Sequence, residues 1–487
     1  MAFVLKLALE TTDSDKIILN KRFYIAEHIS NVLIKHSVSL LNKLKFDKEY
    51  QDCLKQYVST KDVVLKKQLS KQLTTIRKNY GLSEYQLHSY AKQQQHMYKK
   101  NIDAFTTQKI ATRIWQGVEK VLFSDGRSLH YKKYGTLKSL EGKSNSTGIR
   151  FKDNCLYWNG LKIPVVINKK DFYAKQALDM KVIKLCKIKR EPFNNGYHYY
   201  VQLTIDGLPP LKHFMGNGDI GIDIGTSTIA FVSKDHASLK ELAPDIKKYN
   251  DKIIKYQKYL ERSRKQNNPN NYTKNGTTKK GKLKWVRSNN YVKILFKLKN
   301  AYRKRNAYVV HEHNKLANQI ISLGNNIYVE EMNFKALQKK AKETKRQDKL
   351  SNIKGKQIHK FKKKKRFGKS LNNKAPAMLI TIIHRKLGYF DNHIYKVNTK
   401  TFKASQYNHI SNTYTKKLLN ERWNCINEFQ VQRDLYSAFL LMNAKETLDS
   451  TDRNKCIKTF SSFMEAHNTC INEIINNKIK YPFSFGL

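Results

Sequence analysis

Three acidic residues, far apart in the chain, have the types and settings for hydrolytic chemistry. Asp223 lies inside the run DIGIDIGTSTIAFVSKD (219–235). On an extended strand it shares a face with Gly221 and Gly225, while Ile222 and Ile224 point the other way. Glycines on that face leave room for an ion or another backbone. A charge inside an apolar strand is costly unless it is paired or metal-bound. A surface-facing Asp or a turn salt bridge would also satisfy the pattern. Glu330 closes a second apolar strand, NNIYVEEMNF, and points with Tyr328, opposite to Ile327, Val329 and Glu331. Asp434 opens a helix in VQRDLYSAFLLMNA, where taken alone it reads as a capping or dipole-pairing carboxylate. Together, one acid on a first strand, one on a later strand and one at a late helix start are the donors of a two-Mg²⁺ nuclease site. Hard cations take oxygen ligands. An ion pair ~3.5–4 Å apart activates a water and stabilises the leaving oxygen. Neither step needs His or Cys.

Several elements must bring these acids together. Residues 1–21 hold a short alternating strand, Phe3 to Leu9. From Arg22 to about Phe123 apolar residues recur at helical spacing, as at Ile25, Ile29, Val32, Leu33, Leu40 and Leu44, and again at Ile110, Ile114 and Val118. Over 136–212 the period changes to short strands, with Asp153-Asn154 and Asn159-Gly160 as turn signals and Asn194-Asn195-Gly196 joining the last two. The aromatics Phe151, Tyr157, Trp158 and Tyr197 to Tyr200 could stack bases, and equally serve as core and sheet-face residues. From Asp219 the chain reads as α/β. Basic helices are expected at about 244–264 and 290–322, with a mobile Lys/Asn/Gly-rich loop (265–284) between them. A helix near 375–387 and a strand at His393 to Val397 follow. The run Lys360, Phe361, Lys362, Lys363, Lys364, Lys365, Arg366 reads either as a solvated loop or as a phosphate clamp.

Composition narrows the partners. The chain has 487 residues, 93 Lys+Arg against 39 Asp+Glu, and a formal net charge of +54. Such a surplus repels itself in an isolated protein and is of the order of the ~40 phosphates on 20 base pairs of duplex. An AT-rich codon bias would raise Lys, Asn, Ile and Tyr, but it does not explain the shortage of acids. No apolar run approaches the ~18 residues of a membrane span, and MAFVLKLALETTD is broken by Lys6 and Glu10 as a signal peptide would not be. The six cysteines form no CxxC pair. A reducing interior, a bacterial cytoplasm, is the expected compartment.

The motifs also carry a resemblance. GIDIGTSTIA, IYVEEMNFKAL and QRDLYSAFLLMN resemble the three RuvC nuclease motifs of TnpB proteins and of the type V CRISPR effectors similar to them. The resemblance implies a multidomain α+β protein: a wedge strand (1–21), a helical recognition domain (22–135), a β-barrel wedge domain (136–212) and an RNase H-like RuvC nuclease (213–397 and 431–487). It implies that Asp223, Glu330 and Asp434 are catalytic and hold two Mg²⁺ ions. It places Arg305 and His313 on a basic helix before the Glu strand, and Arg305, Arg433, Lys360, Lys362 to Lys365 and Arg366 against nucleic acid. The implied partners are a guide RNA and double-stranded target DNA cleaved beside a short flanking motif. The chain departs from the family at 398–430, where a zinc ribbon is usual. ASQYNHISN and RWNCINEF put Asn408, Ser411 and Glu428 at cysteine positions and keep only Cys425. One thiolate does not build a tetrahedral zinc site, so no structural zinc is expected. The insert is then held by packing, or lies loose until nucleic acid binds. Gln432 also replaces the Asp common in the third motif. Other readings are a nuclease-inactive RNA-guided repressor, a transposase or RNA-binding accessory, and an actin/Hsp70-like ATPase suggested by GIDIGTS. The last lacks a second Asp-Gly phosphate loop and a late Gly-rich adenosine motif.

Overall fold

The structure, a computed structural model, describes residues 1–124, 126–179, 182–339, 346–353, 356–361, 367–418, 421–476 and 481–487, with 346–353 and 356–361 described by backbone alone. The chain is a mixed α+β protein of two units, residues 1–210 and 211–487.

In the first unit, strand β1 (Ala2–Leu9) alternates strictly, burying Phe3, Leu5, Leu7 and Leu9. Helix α1 (Asp13–Lys45) starts nine residues before the Arg22 boundary read from periodicity. Its start is a capping box: the Asp15 amide donates to Thr12 Oγ1 (3.1 Å) and the Thr12 amide donates to Asp15 Oδ2 (2.9 Å). Helices α2 (Lys48–Ser59), α3 (Val63–Asn79), α4 (Glu84–His96) and α5 (Ala104–Phe123) follow. Then come β2 (Ser139–Glu141), β3 (Arg150–Lys152), β4 (Cys155–Trp158), β5 (Leu161–Val166), α6 (Phe172–Asp179), β6 (Ile183–Phe193) and β7 (Gly196–Asp206). All seven strands form one sheet, ordered β2-β6-β7-β1-β5-β4-β3. Its apolar face and helices α1, α4 and α5 share a single core that includes Phe23, Leu33, Leu87, Ile110, Trp158 and Tyr199. Trp158 and Tyr199 are each 1% exposed and Phe151 is buried. These aromatics are therefore core residues.

The Asn159-Gly160 turn, with both residues in the left-handed region, docks on the helices. Arg22 donates to the carbonyls of Trp158 (2.6 Å) and Asn159 (2.7 Å). The Trp158 indole N–H donates to Asp103 Oδ2 (2.8 Å), whose other oxygen caps α5 through the Thr106 amide.

The second unit opens with β8 (Asp219–Ile224), β9 (Thr228–Ser233) and β10 (His236–Glu241), an antiparallel meander. Helices α7 (Ile246–Asn267) and α8 (Asn289–Leu323) lead to β11 (Asn326–Glu330) and α9 (Phe334–Leu337). A backbone hairpin, β12 (Arg346–Ile353) and β13 (Lys356–Phe361), precedes α10 (Gly368–Lys374), α11 (Pro376–Leu387), β14 (Ile394–Val397) and α12 (Thr399–Phe402). The sheet order is β10-β9-β8-β11-β14, with β8, β11 and β14 parallel. Two hairpins follow, β15 (Tyr407–Asn408) with β16 (Thr413–Tyr414), and β17 (Trp423–Ile426) with β18 (Phe429–Gln432). They are succeeded by α13 (Arg433–Met442) and α14 (Arg453–Asn476).

Side-chain alternation gives this sheet two buried faces. Ile220, Ile222, Ile224, Ile327 and Val329 pack against α8 and α11, through Ala317, Ile320, Leu379 and Ile383. The other face meets α13 and α14 in a core containing Leu435, Phe439, Phe463 and Ile471. The loop after α7 is tied together at its two ends. Asn268, on the buried side, accepts from the Val286 amide (2.7 Å) and donates to the carbonyls of Val286 and Arg264. The 398–430 insert is held by packing among its described residues. Phe402, Tyr407 and Ile426 join the α13 core. His409, fully buried, bonds Tyr436 Oη through Nδ1 (2.7 Å), and Arg453 donates to the carbonyls of His409 and Ile410.

Candidate active site

The register of two parallel strands places the first two acids. Val329 of β11 faces Ile222 of β8. The next residue on each strand is Glu330 and Asp223, so the two carboxylates stand side by side across an inter-strand spacing of about 4.8 Å. Both lie at the carboxyl ends of their strands, where open α/β sheets build ligand sites. Both point to the α13 face, since their neighbours Ile222 and Val329 are buried on the other.

Gly221 brings in the third. A Cβ at this position would lie 1.8 Å from the Ala438 carbonyl oxygen and 2.4 Å from the Met442 amide nitrogen, so α13 rests directly on the strand backbone there. Asp434 is one helical turn, about 6 Å, before Ala438. Asp223 is two residues, about 6.6 Å, after Gly221. Running the helix against the strand therefore carries Asp434 toward Asp223 on the shared face. Gln432 caps the helix, its Oε1 accepting from the Leu435 amide (2.9 Å). Asp434 is thus free of the capping role that its position suggests.

The electrostatics carry the same convergence. Burial, then the Asp434 and Glu330 charges, push the Asp223 carboxyl well above the usual Asp range, and Arg433 and Arg422 only partly offset them. Burial pushes Glu330 up to about 7 against a hydrogen bond from the Ala404 backbone. The Ala404 amide follows Lys403, a left-handed residue (φ 50°) after α12, and sequence offered no signal for it. Asp434 Oδ1 lies 3.6 Å from Arg433 Nε and 3.8 Å from Arg422 Nη1.

No protein-family model matches the chain, and no curated protein matches it. Solved structures do match the chain, two cryo-EM complexes among them. One is a cryo-EM structure of a Cas12f1–sgRNA–target DNA complex, at 12% identity over 91% of this chain and 99% of that one, with a TM-score of 0.40. The other is a cryo-EM structure of a CRISPR-Cas12f ternary complex, at 11% identity over the same shares, with a TM-score of 0.27.

The donors suit a hard cation by chemistry, being three carboxylates whose mutual repulsion a cation would relieve. Their side-chain arrangement is not yet that of a closed ion site. Among the described residues no group of three or more His, Cys, Asp or Glu is arranged to hold a metal ion. The two guanidiniums beside Asp434 supply the countercharge instead.

The basic residues singled out by sequence fall in different settings. Arg305 is 8% exposed and donates to the Asn372 carbonyl (2.9 Å) and Asn373 Oδ1 (2.8 Å), tying α8 to α10. His313 is fully buried and bonds the Lys374 carbonyl through Nε2 (2.8 Å). Arg433 donates to the carbonyls of Leu418 and Glu421. Arg305 is thus engaged inside the protein, while Arg433 is half-buried and its two bonds lie at the surface. The side chain of Lys360, and Lys362 to Arg366 altogether, lie outside the described residues. Exposed cations that sequence did not single out line α7: Lys252, Lys255, Lys258, Arg262 and Lys265.

Proposed function

We propose that the chain is an RNA-guided DNA endonuclease: it binds a guide RNA and hydrolyses complementary DNA next to a short flanking motif. One observation carries the hydrolytic half, the juxtaposition of Asp223 and Glu330 on adjacent parallel strands with Asp434 brought onto the same face by Gly221. It supports reading residues 213–397 and 431–487 as a RuvC-type nuclease, while the wedge (1–21, 136–212) and recognition (22–135) readings rest on the sequence resemblance. The guide half rests on the three sequence motifs and on the +54 charge. Base pairing then selects the target, and the protein holds backbones.

In this reading Asp223, Glu330 and Asp434 would hold Mg²⁺, two ions in all, which supplies water activation and charge stabilisation at the phosphate. The chain's own residues set the stage. Ile222 and Val329 lock the register that pairs two acids, and the Ala404 amide orients Glu330. The exposed lysines of α7 would grip phosphates, so binding weakens with salt.

A second reading, a nuclease-inactive RNA-guided DNA-binding repressor, is favoured by the pairing of Asp434 with Arg422 and Arg433. Purified protein with its guide, given target plasmid and Mg²⁺, separates the two. Cleavage by the unsubstituted protein that is lost in Asp223→Ala, with target binding kept, supports the nuclease. Binding without any cleavage by the unsubstituted protein supports the repressor. Equal cleavage by Asp223→Ala refutes the site.

A further inference from the structure

The segment Tyr481–Leu487 lies far in sequence from the three acids, yet it bonds the base of the β17–β18 hairpin from which Arg422 and Arg433 depart. Trp423 and Gln432 are the cross-strand pair at that base. Two consecutive carbonyls of the segment take one bond from each. Gln432 Nε2 donates to the Phe485 oxygen (3.3 Å), and the Trp423 indole N–H donates to the Gly486 oxygen (2.8 Å). Phe485 is 3% exposed, anchored in the same core as Leu435 and Phe439. Gly486 is left-handed (φ 75°), and a Cβ there would lie 2.4 Å from Arg422 Cβ. Glycine is thus required twice, by conformation and by close approach.

The same Gln432 makes two further bonds. Its Oε1 caps α13 at the Leu435 amide. Its own amide donates to His467 Nε2 of α14 (3.0 Å). Because that nitrogen accepts, the imidazole proton sits on Nδ1 and is donated to Asn468 Oδ1 (2.9 Å). Finally, Gln432 is two residues before Asp434, and the Arg433 amide donates to the Arg422 carbonyl (2.8 Å).

We infer that Phe485 and Gly486, with His467, are positioning residues for Asp434: their backbone and ring acceptors fix Gln432 and Trp423, and through them the first turn of α13 and the Arg422 side chain. The inference rests on the nuclease reading for its consequence in catalysis. A shift of about 1 Å in a reacting group costs on the order of 100-fold in rate. A neutral cap also suits the position, since Gln432 holds the helix end without adding a further carboxylate beside Asp434 and Asp223.

The test uses the full chain with its guide and three variants: Gly486→Val, the milder Trp423→Phe, which removes the indole N–H and leaves a smaller aromatic ring, and Asp223→Ala. Four quantities are read: single-turnover cleavage, target binding in EDTA, melting temperature, and hydrogen exchange of the 431–442 segment. Gly486→Val is expected to slow cleavage by about 10- to 100-fold and to speed exchange at the Leu435 amide, with target binding held within about twofold. Trp423→Phe is expected to do the same more weakly, at an unchanged melting temperature. Cleavage at the unsubstituted rate in both variants overturns the inference. So does a loss of cleavage that merely follows lost binding or a lowered melting temperature in both. If Asp223→Ala cleaves normally, the nuclease reading fails instead. If it is dead while Gly486→Val and Trp423→Phe cut at full rate, only the positioning role fails.

Discussion

The Ala438 carbonyl oxygen lies 1.8 Å from where a Cβ on residue 221 would stand. No side chain other than hydrogen fits between strand β8 and helix α13 at this point. Gly221→Ala must push the helix off the sheet, and Asp434 moves with it. Overpacking of this kind costs about 1–3 kcal/mol. Urea unfolding is expected to show that loss, together with slower cleavage. A variant as stable and as active as the unsubstituted protein would contradict the packing described.

Glu330 gives a pH signature. Its folded pKa, pushed up to about 7, lies above the ordinary Glu value of 4.5. The folded state therefore holds a proton that the unfolded chain has released, and stability falls as pH rises from 4.5 to 7. At ~1.36 kcal/mol per unit, the full loss is about 3 kcal/mol above pH 7. Without divalent ions, Glu330→Gln is expected to melt higher than the unsubstituted protein at pH 8 and alike at pH 4. A pH-independent difference would argue against the buried setting.

Much of this site could be read before folding was known. Strand alternation in GIDIGTS and IYVEEMNF assigns faces correctly, because Ile220, Ile222, Ile224, Ile327 and Val329 all enter the core under α8 and α11. What sequence could not supply is tertiary capping. The freedom of Asp434 depends on Gln432 taking the cap, and the support of Glu330 depends on the Ala404 amide after a left-handed Lys403. Charge was legible as a total but not by residue. Arg305 read as a surface cation and is buried, whereas Arg433 is half-buried and donates to surface carbonyls. The early start of α1 was legible in Thr12 and Asp15, a capping box that periodicity alone passes over.

Arg305 and the α7 lysines should separate cleanly by assay. Arg305→Gln leaves the Asn372 carbonyl and Asn373 without their charged donor, at a cost of about 1–3 kcal/mol in stability. The salt dependence of nucleic-acid binding is expected to stay as it was. Replacing Lys252, Lys255 and Lys258 together by Gln is expected to leave melting unchanged. It should flatten the plot of log affinity against log salt by about 0.9 for each phosphate that is no longer neutralised. The reverse pattern would return Arg305 to the surface.

Acid should loosen the first unit through Glu141. Burial alone would raise its pKa, but the Lys187 and Arg113 cations outweigh that and hold it at about 2. This stabilisation is fully present above the ordinary value of 4.5 and is lost as pH falls toward 2. It amounts to about 3 kcal/mol. Glu141→Gln is expected to lower the melting temperature at pH 7 and to make little difference at pH 2, monitored by circular dichroism.

Strand β1 sits inside its sheet, with Ala8 facing Val166 on one side and Ala2 facing Asp206 on the other. A ribosome adding 5–20 residues each second delivers the later partner, β7, on the order of 10–40 s after β1 itself. Throughout that interval the β7-facing edge of an apolar strand stays bare, open to pairing with any stray strand. The yield of the first unit should therefore depend on how well that early strand is shielded until β7 arrives.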